Sequence, residues 1–129
     1  MRVIIFFMIL VFVGVGYAIR DAHSHEMVPA RFELKQSPAV NIHMTTFKMF
    51  NARDDVDYYQ VSVYDQDWNR VPFASFDRVF KLEHLQRKEI KVYIQEVDIP
   101  SVTYVCTESK LYKGKGAYVA SRICSKIKK

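Results

Sequence analysis

The stretch FNARDDVDYYQVSVYD, Phe50 to Asp65, contains the two signals on which a fold prediction for this chain depends. Asp54, Asp55 and Asp57 crowd three acids into four positions, and from Tyr59 onward apolar and polar residues alternate. Alternation with a period of two predicts a β-strand with one buried face. Asn and Asp side chains bond their own backbone and favour turns, so the acidic cluster is interpreted as a hairpin connection between two strands.

The same rhythm continues along most of the chain, and no stretch shows sustained helical periodicity. Arg31 to Gln36 (RFELKQ) is predicted as one strand, and a β-bulge near Thr45 and Thr46 is expected in the next. Further strands are predicted around residues 59–64, 80–82, 90–95, 102–106 and 119–127. About seven short strands with regular turn signals are typical of an all-β, immunoglobulin-like antiparallel β-sandwich.

The amino terminus, MRVIIFFMILVFVGVGYA, indicates export. Arg2 is followed by an apolar run, Val3 to Val15, and by the small residues Gly16 and Ala18, which is the pattern of a signal peptide. Residues 1–18 are therefore predicted to be a signal peptide cleaved after Ala18, with a periplasmic product; an uncleaved inner-membrane anchor is the alternative. Residues 19–30 are predicted to be a flexible mature amino terminus, and residues 31–129 to form the sandwich.

Positive charge is concentrated at the carboxyl end. Residues 110–129 contain seven Lys or Arg and no acid, whereas residues 19–109 carry a net charge of −3. Such an end favours an anionic partner, such as a carboxylate, a lipid head group or lipopolysaccharide. The alternative is a solvated tail that only aids solubility. Nucleic acid is not expected, because an exported chain without a base-reading motif gives no support for it.

The two cysteines, Cys106 and Cys124, are predicted to form a structural disulfide, since an even count in an exported chain favours one. The sequence contains few other residues that indicate a binding or catalytic site. His23 and His25 fall in the predicted flexible start, and the DQDWN run from Asp65 to Asn69 lacks the glycine and glutamate of a calcium loop.

No nucleophile elbow or phosphate-binding glycine loop is present, so neither an enzyme nor a cofactor, metal or small-molecule substrate is expected. Trp68 lies in a predicted turn and is interpreted either as an exposed interaction residue or as a cover for the end of the sandwich.

Three segments resemble the amino-terminal domain of periplasmic chaperones of the chaperone–usher pilus pathway. They are SPAVNIHMTTFKMFNARDDVDYYQVSVYDQDWNRVPF, RVFKLEHLQRKEIKVYI and TYVCTESK, and the resemblance covers roughly residues 32–109. In that family an Asn ends the second strand before a polar turn, and Asn51 holds that position here. The resemblance implies an immunoglobulin-like domain that lends an edge strand to an incomplete pilus subunit.

The resemblance also implies a set of partner-binding residues. A basic pair grips the terminal carboxylate of the subunit in that family. Arg31 is the candidate for its first member, and Lys126, with Arg122 as rival, for its second. The donated apolar residues would be Val119, Ile123 and Ile127. The leading hypothesis is a periplasmic chaperone-like protein for pilus, conjugation or secretion subunits, and the alternative is a structural component or binding module of an envelope assembly.

Overall fold

The computed structural model describes residues 24–113 and 120–128, with the side chain of Tyr112 excluded. The predicted signal peptide, residues 19–23 and Val119 lie outside the described residues. The described residues contain nine strands and one 3₁₀ helix, in this order: β1 (His25–Val28), β2 (Arg31–Phe32), β3 (Lys35–Gln36), β4 (Ile42–Asn51), β5 (Val56–Tyr64), β6 (Val79–Lys81), β7 (Arg87–Gln95), the 3₁₀ helix (Glu96–Ser101), β8 (Tyr104–Tyr112) and β9 (Arg122–Ile127).

These strands form two sheets that face each other across one core, so the predicted immunoglobulin-like β-sandwich is confirmed. In the first sheet, β4 pairs with β7 on one side and with β1 and β3 on the other. The second sheet has the order β2-β9-β8-β5-β6. All of these pairings are antiparallel except that of β2 with β9, which is parallel.

The core is built from the inward positions of both sheets, as the alternation predicts. From the first sheet, Phe47 and Met49 lie on the inside of β4, and Ile90, Val92 and Ile94 alternate along β7. From the second sheet come the apolar positions of β5 and β8, including Tyr59, Val61, Val63 and Val105. The hydrophobic face of each strand is thereby removed from water, which is the main stabilising contribution to such a fold.

Two local predictions about the early strands are wrong. The segment RFELKQ is not one strand: Arg31–Phe32 pairs with β9 in the second sheet, whereas Lys35–Gln36 pairs with β4 in the first. The bulge near Thr45 and Thr46 is also absent, because β4 and β7 keep one unbroken register over nine residue pairs. Thr45 is buried on the core side together with Phe47 and Met49, so every second residue of this part of β4 faces the core.

The predicted flexible start is corrected in part, because β1 begins at His25 and pairs with the end of β4. After β1 the chain leaves the first sheet at Pro29 and joins the edge of the second as β2. The acidic stretch is not a hairpin either: it carries the chain from β4 in one sheet to β5 in the other. By contrast, Asp65–Asn69 is a tight reversal, closed by an antiparallel bridge between Tyr64 and Arg70.

Candidate partner-binding edge

Strand β9 is covered along only part of its outer side. Strand β8 pairs with β9 from Arg122 to Lys126, but on the other side β2 reaches only Lys126 and Ile127. The Lys126 N–H donates outward to the carbonyl of Ala30, whereas the Ile127 N–H donates inward to that of Thr103. Because backbone groups alternate in direction, those of Arg122 and Cys124 point outward, where no described strand pairs with them. Among residues 24–113 and 120–128, this half of β9 is an open sheet edge, the kind of surface to which another strand adds.

Two cations mark the end of this open edge. Arg31 and Lys126 are direct register partners in the parallel pair, so their side chains leave the same outer face of the sheet on neighbouring strands. Both are exposed, and neither forms an ion pair with an acid among residues 24–113 and 120–128. Like charges placed opposite each other are destabilising, so an anion bound between them would be stabilised.

The structure separates Lys126 from its rival. Arg122 lies four residues earlier, its guanidinium is 3.7 Å from the carboxylate of Glu108, and it also sits 5.6 Å from the centre of the Tyr64 ring. Arg122 therefore already has an acidic and an aromatic neighbour. Lys126 is the residue that the fold places beside Arg31.

Two of the residues predicted to be donated to a partner, Ile123 and Ile127, pack instead against the core of this chain. Ile127 is only 9% exposed and belongs to the core of this chain, so it is not presented to a partner, and this assignment is corrected. Ile123 is half-buried and packs against the same core. Inward-facing positions of β9 are used by the protein itself because the strand is already part of a sandwich.

The predicted disulfide is confirmed, since Cys106 and Cys124 are bonded. The two cysteines are directly opposite each other on β8 and β9. The disulfide therefore links β9, the strand with the open edge, to β8 at Cys124, whose backbone groups face outward. Strand β9 is held in register before any partner arrives.

A buried polar cluster lies behind the start of β9, where the sequence indicates only turns and a flexible terminus. His25 Nε2 is 3.2 Å from the carbonyl oxygen of Thr107, and Nδ1 is 2.9 Å from the Ser121 hydroxyl. Nε2 is also 2.9 Å from the Thr107 hydroxyl, so both ring nitrogens of His25 have hydrogen-bond partners inside the protein. Burial away from water, together with the Arg53 cation, lowers the pKa of His25 from 6.5 to about 4, although the bond to Thr107 opposes the shift.

Two acids of the cluster, Asp55 and Asp57, have a structural role. Arg53 is buried, and its guanidinium donates two hydrogen bonds of 2.7 Å to the Asp55 carboxylate. These bonds hold the pKa of Asp55 below its ordinary value of 3.8. Asp57 is also buried and lies 3.4 Å from the ammonium group of Lys113. Asp55 and Asp57 thus neutralise buried or neighbouring cations at the crossing between the sheets.

Asn51, the last residue of β4, organises the same crossing. Its amide donates to the carbonyls of Val56 and Leu82, both at 2.8 Å, and its oxygen accepts from the Arg53 N–H and the Tyr59 hydroxyl. The side chain is fully buried, and both of its polar atoms have partners. An amide is suited to this position because it supplies donors and acceptors at once.

Within residues 24–113 and 120–128, no group of three or more His, Cys, Asp or Glu side chains is arranged to hold a metal ion. The same residues contain no helix with the length and apolar character needed to cross a membrane.

Comparison with known proteins gives structural matches only. No family model and no curated protein matches the sequence. The crystal structure of the E. coli chaperone DraB is similar, with a TM-score of 0.60 and 17% identity over 81% of this chain and 53% of that one. The periplasmic chaperone SfaE gives a TM-score of 0.52 and 11% identity over 81% of this chain and 56% of that one. The chain thus spans about half the length of these chaperones.

A third similar structure is the ASH/PapD-like domain 7 of human CEP192, with a TM-score of 0.51 and 8% identity over 86% of this chain and 90% of that domain. The three similar structures are thus two chaperones and a PapD-like domain. At these identities the likeness concerns the fold, which agrees with the resemblance of the three sequence segments. The chain therefore has the fold of a PapD-like immunoglobulin-type domain, a fold that the chaperones DraB and SfaE share.

Proposed function

We propose that this protein is an exported, periplasmic chaperone-like protein that binds an extended segment of a pilus, conjugation or secretion subunit along the open edge of β9. The observation that carries the proposal is the direct pairing of Arg31 with Lys126 at the end of that edge. An incoming strand would bond the outward backbone groups of Arg122 and Cys124. Its terminal carboxylate would then lie between the two cations.

Charge favours such a partner over a second copy of this chain. The exposed residues of β9 are Arg122 and Lys126, and Lys128 follows directly. Two β9 strands placed side by side would bring these cations together, which is destabilising. A strand that ends in a carboxylate or carries acids would instead be attracted.

Export to the periplasm is part of the proposal. The apolar leader supports it, and so does the bond between Cys106 and Cys124, because disulfides persist in oxidising compartments. Mass spectrometry of the protein purified from cells should find an amino terminus at Ile19. A chain that still begins at Met1 would favour the anchored alternative.

The binding proposal is tested by substitution at the basic pair. Tagged protein recovered from periplasm should retain a subunit that mass spectrometry identifies, and Arg31→Ala combined with Lys126→Ala should release it. The matched control is Lys91→Ala, an exposed cation on the outer face of the other sheet. Equal recovery of the subunit by the double variant and the control would refute the role of the pair.

Hydrogen exchange tests the strand addition itself. Binding should slow exchange of the Arg122 and Cys124 amides, which point to the open edge. The Ile123 amide should change little, because it faces β8 already. Slowed exchange elsewhere with no change at these two amides would contradict strand addition at β9.

A structural component of an envelope assembly is the second candidate. Its support is the similarity to the PapD-like domain 7 of human CEP192, since this fold also occurs outside periplasmic proteins. Stoichiometry separates the two roles: a structural component stays in the purified assembly in a fixed ratio, whereas a chaperone is absent from it.

A further inference from the structure

The basic pair is continuous with a group of aromatic side chains on the outer face of the same sheet. A row of register partners crosses this sheet from β5 through β8 and β9 to β2. It runs from Tyr64 to Tyr104, then to Lys126 and to Arg31. Trp68 lies flat against Tyr104, with ring centres 4.3 Å apart and planes inclined by 2°. We call Tyr64, Trp68 and Tyr104 the aromatic platform. It lies on the side of Lys126 opposite Arg31.

Trp68 has two properties that a covering role alone does not explain. Its side chain remains 49% exposed although one ring face packs on Tyr104, so much of the indole stays in contact with water. Its backbone has a φ of 64°, a left-handed conformation that is unusual for a bulky side chain. Strained positions of this kind cluster at ligand-binding sites.

The turn around Trp68 imposes that conformation. The Asp65 carboxylate accepts the N–H groups of Asp67 and Asn69, both at 2.9 Å, and the Asp65 N–H donates to the carbonyl of Asn69. Glycine would satisfy this backbone without strain. A tryptophan at this position places a large ring against Tyr104, the register partner of Lys126, although the turn itself does not require a large side chain.

Spacing indicates what the platform would bind. Neighbouring strands lie about 5 Å apart, so a carboxylate centred between Arg31 and Lys126 is roughly 7 Å, or one and a half strand spacings, from Tyr104, a distance that a large side chain can span. A chain terminus that places its carboxylate between Arg31 and Lys126 can therefore lay its last side chain on the platform. An aromatic ring fits a stacked Trp–Tyr pair best, because ring quadrupoles favour offset-stacked and edge-to-face contacts.

We propose that the aromatic platform is a specificity site for the carboxyl-terminal residue of the partner, and that it selects an aromatic side chain. This inference rests on the proposed function, since it requires the carboxylate to be held by the basic pair. It adds a preference among possible partners: of two segments that end in a free carboxylate, the one with a terminal aromatic residue binds more tightly.

The chain offers a direct probe, because Trp68 is its only tryptophan. Three synthetic ten-residue peptides of alternating Val and Thr would be titrated against the full chain: one ending in Phe with a free carboxylate, one ending in Ala with a free carboxylate, and one ending in amidated Phe. The first should shift the tryptophan emission and bind about threefold to tenfold more tightly than the second. The amidated peptide should bind more weakly than its free-acid form.

Variants separate the platform from the basic pair. Trp68→Gly suits the left-handed backbone and should fold; calorimetry should show that it no longer distinguishes Phe from Ala but still prefers a free carboxylate. Trp68→Phe should keep part of the discrimination. The control is Phe76→Ala, which removes an aromatic side chain that is 95% exposed elsewhere on the surface and should change nothing.

Each result has a defined meaning. Equal binding of the Phe and Ala free acids, with the carboxylate preference intact, would overturn the platform proposal and leave the proposed function standing. Loss of any carboxylate preference would overturn both. A heparin hexasaccharide that bound more tightly than every peptide, and in a Trp68-dependent manner, would assign the platform to an acidic glycan and overturn the peptide assignment.

Discussion

Acidification from pH 7 to pH 4 is expected to destabilise the fold through His25. Its ring is 1% exposed and packs 4.7 Å from the ring of Tyr59, and its pKa is lowered from 6.5 to about 4. The unfolded chain therefore binds a proton more strongly than the folded one. The contribution of the neutral ring to stability is complete above pH 6.5, declines as the pH falls toward 4, and changes no further below that value.

The magnitude follows from the shift. One pKa unit corresponds to about 1.4 kcal/mol, so the complete loss is about 3 kcal/mol, of which about 2 kcal/mol would be gone by pH 5. Asp55 contributes in a different window, because its pKa is held below 3.8 and its effect is lost only as the pH falls further.

Urea unfolding followed by circular dichroism at several pH values between 7 and 4 measures this loss. His25→Gln retains a side chain that can hydrogen-bond to Thr107 and Ser121 but cannot take up a proton in this range. It should be less stable at pH 7 and show a flatter pH profile. His84→Gln, at an exposed position, is the control and should keep the wild-type slope. A wild-type slope that matches that of His25→Gln would refute the reasoning.

Two further predictions concern the crossing between the sheets and the edge strand. Asn51→Ala should lower the free energy of unfolding by about 3 kcal/mol or more, because it leaves several buried partners without a hydrogen bond. Thermal melts measure this loss, and they should show a much smaller change for the control Asn69→Ala, at an exposed turn position. Replacing Cys106 and Cys124 together by Ala should cost about 3 kcal/mol in urea unfolding, since the bond closes a loop with a sequence separation of 18 residues; an unchanged stability would show that β8 and β9 do not need the link.

Much of the fold was predictable because alternation is a local property. Runs such as KVYIQ and YYQVSVY present apolar residues on one side of an extended chain wherever the strand is placed. The early strands were not predicted correctly. The segment from Arg31 to Gln36 alternates like one strand, but it passes between the sheets, and no local pattern marks where a strand leaves its partner.

Residues of the candidate binding edge could be predicted only where the residue type itself, or the family resemblance, indicated a role. Cysteine chemistry allowed the Cys106–Cys124 bond to be predicted, and the family resemblance singled out Arg31 and Lys126. The burial of His25 was missed because a short, polar HEMV segment shows no signal of its own. Its environment is supplied by Arg53, Thr107 and Ser121, which are distant in sequence.

The sequence by itself determined that this chain forms strands with two distinct faces, that its cysteines can pair, and that its positive charge lies near the carboxyl end. Only the tertiary structure decided that Arg31 lies opposite Lys126, that Ile127 belongs to the core, and that Trp68 stacks on Tyr104, the register partner of Lys126. The reason is that side-chain alternation depends on neighbouring residues, whereas strand order and register depend on how two sheets bury their faces against each other.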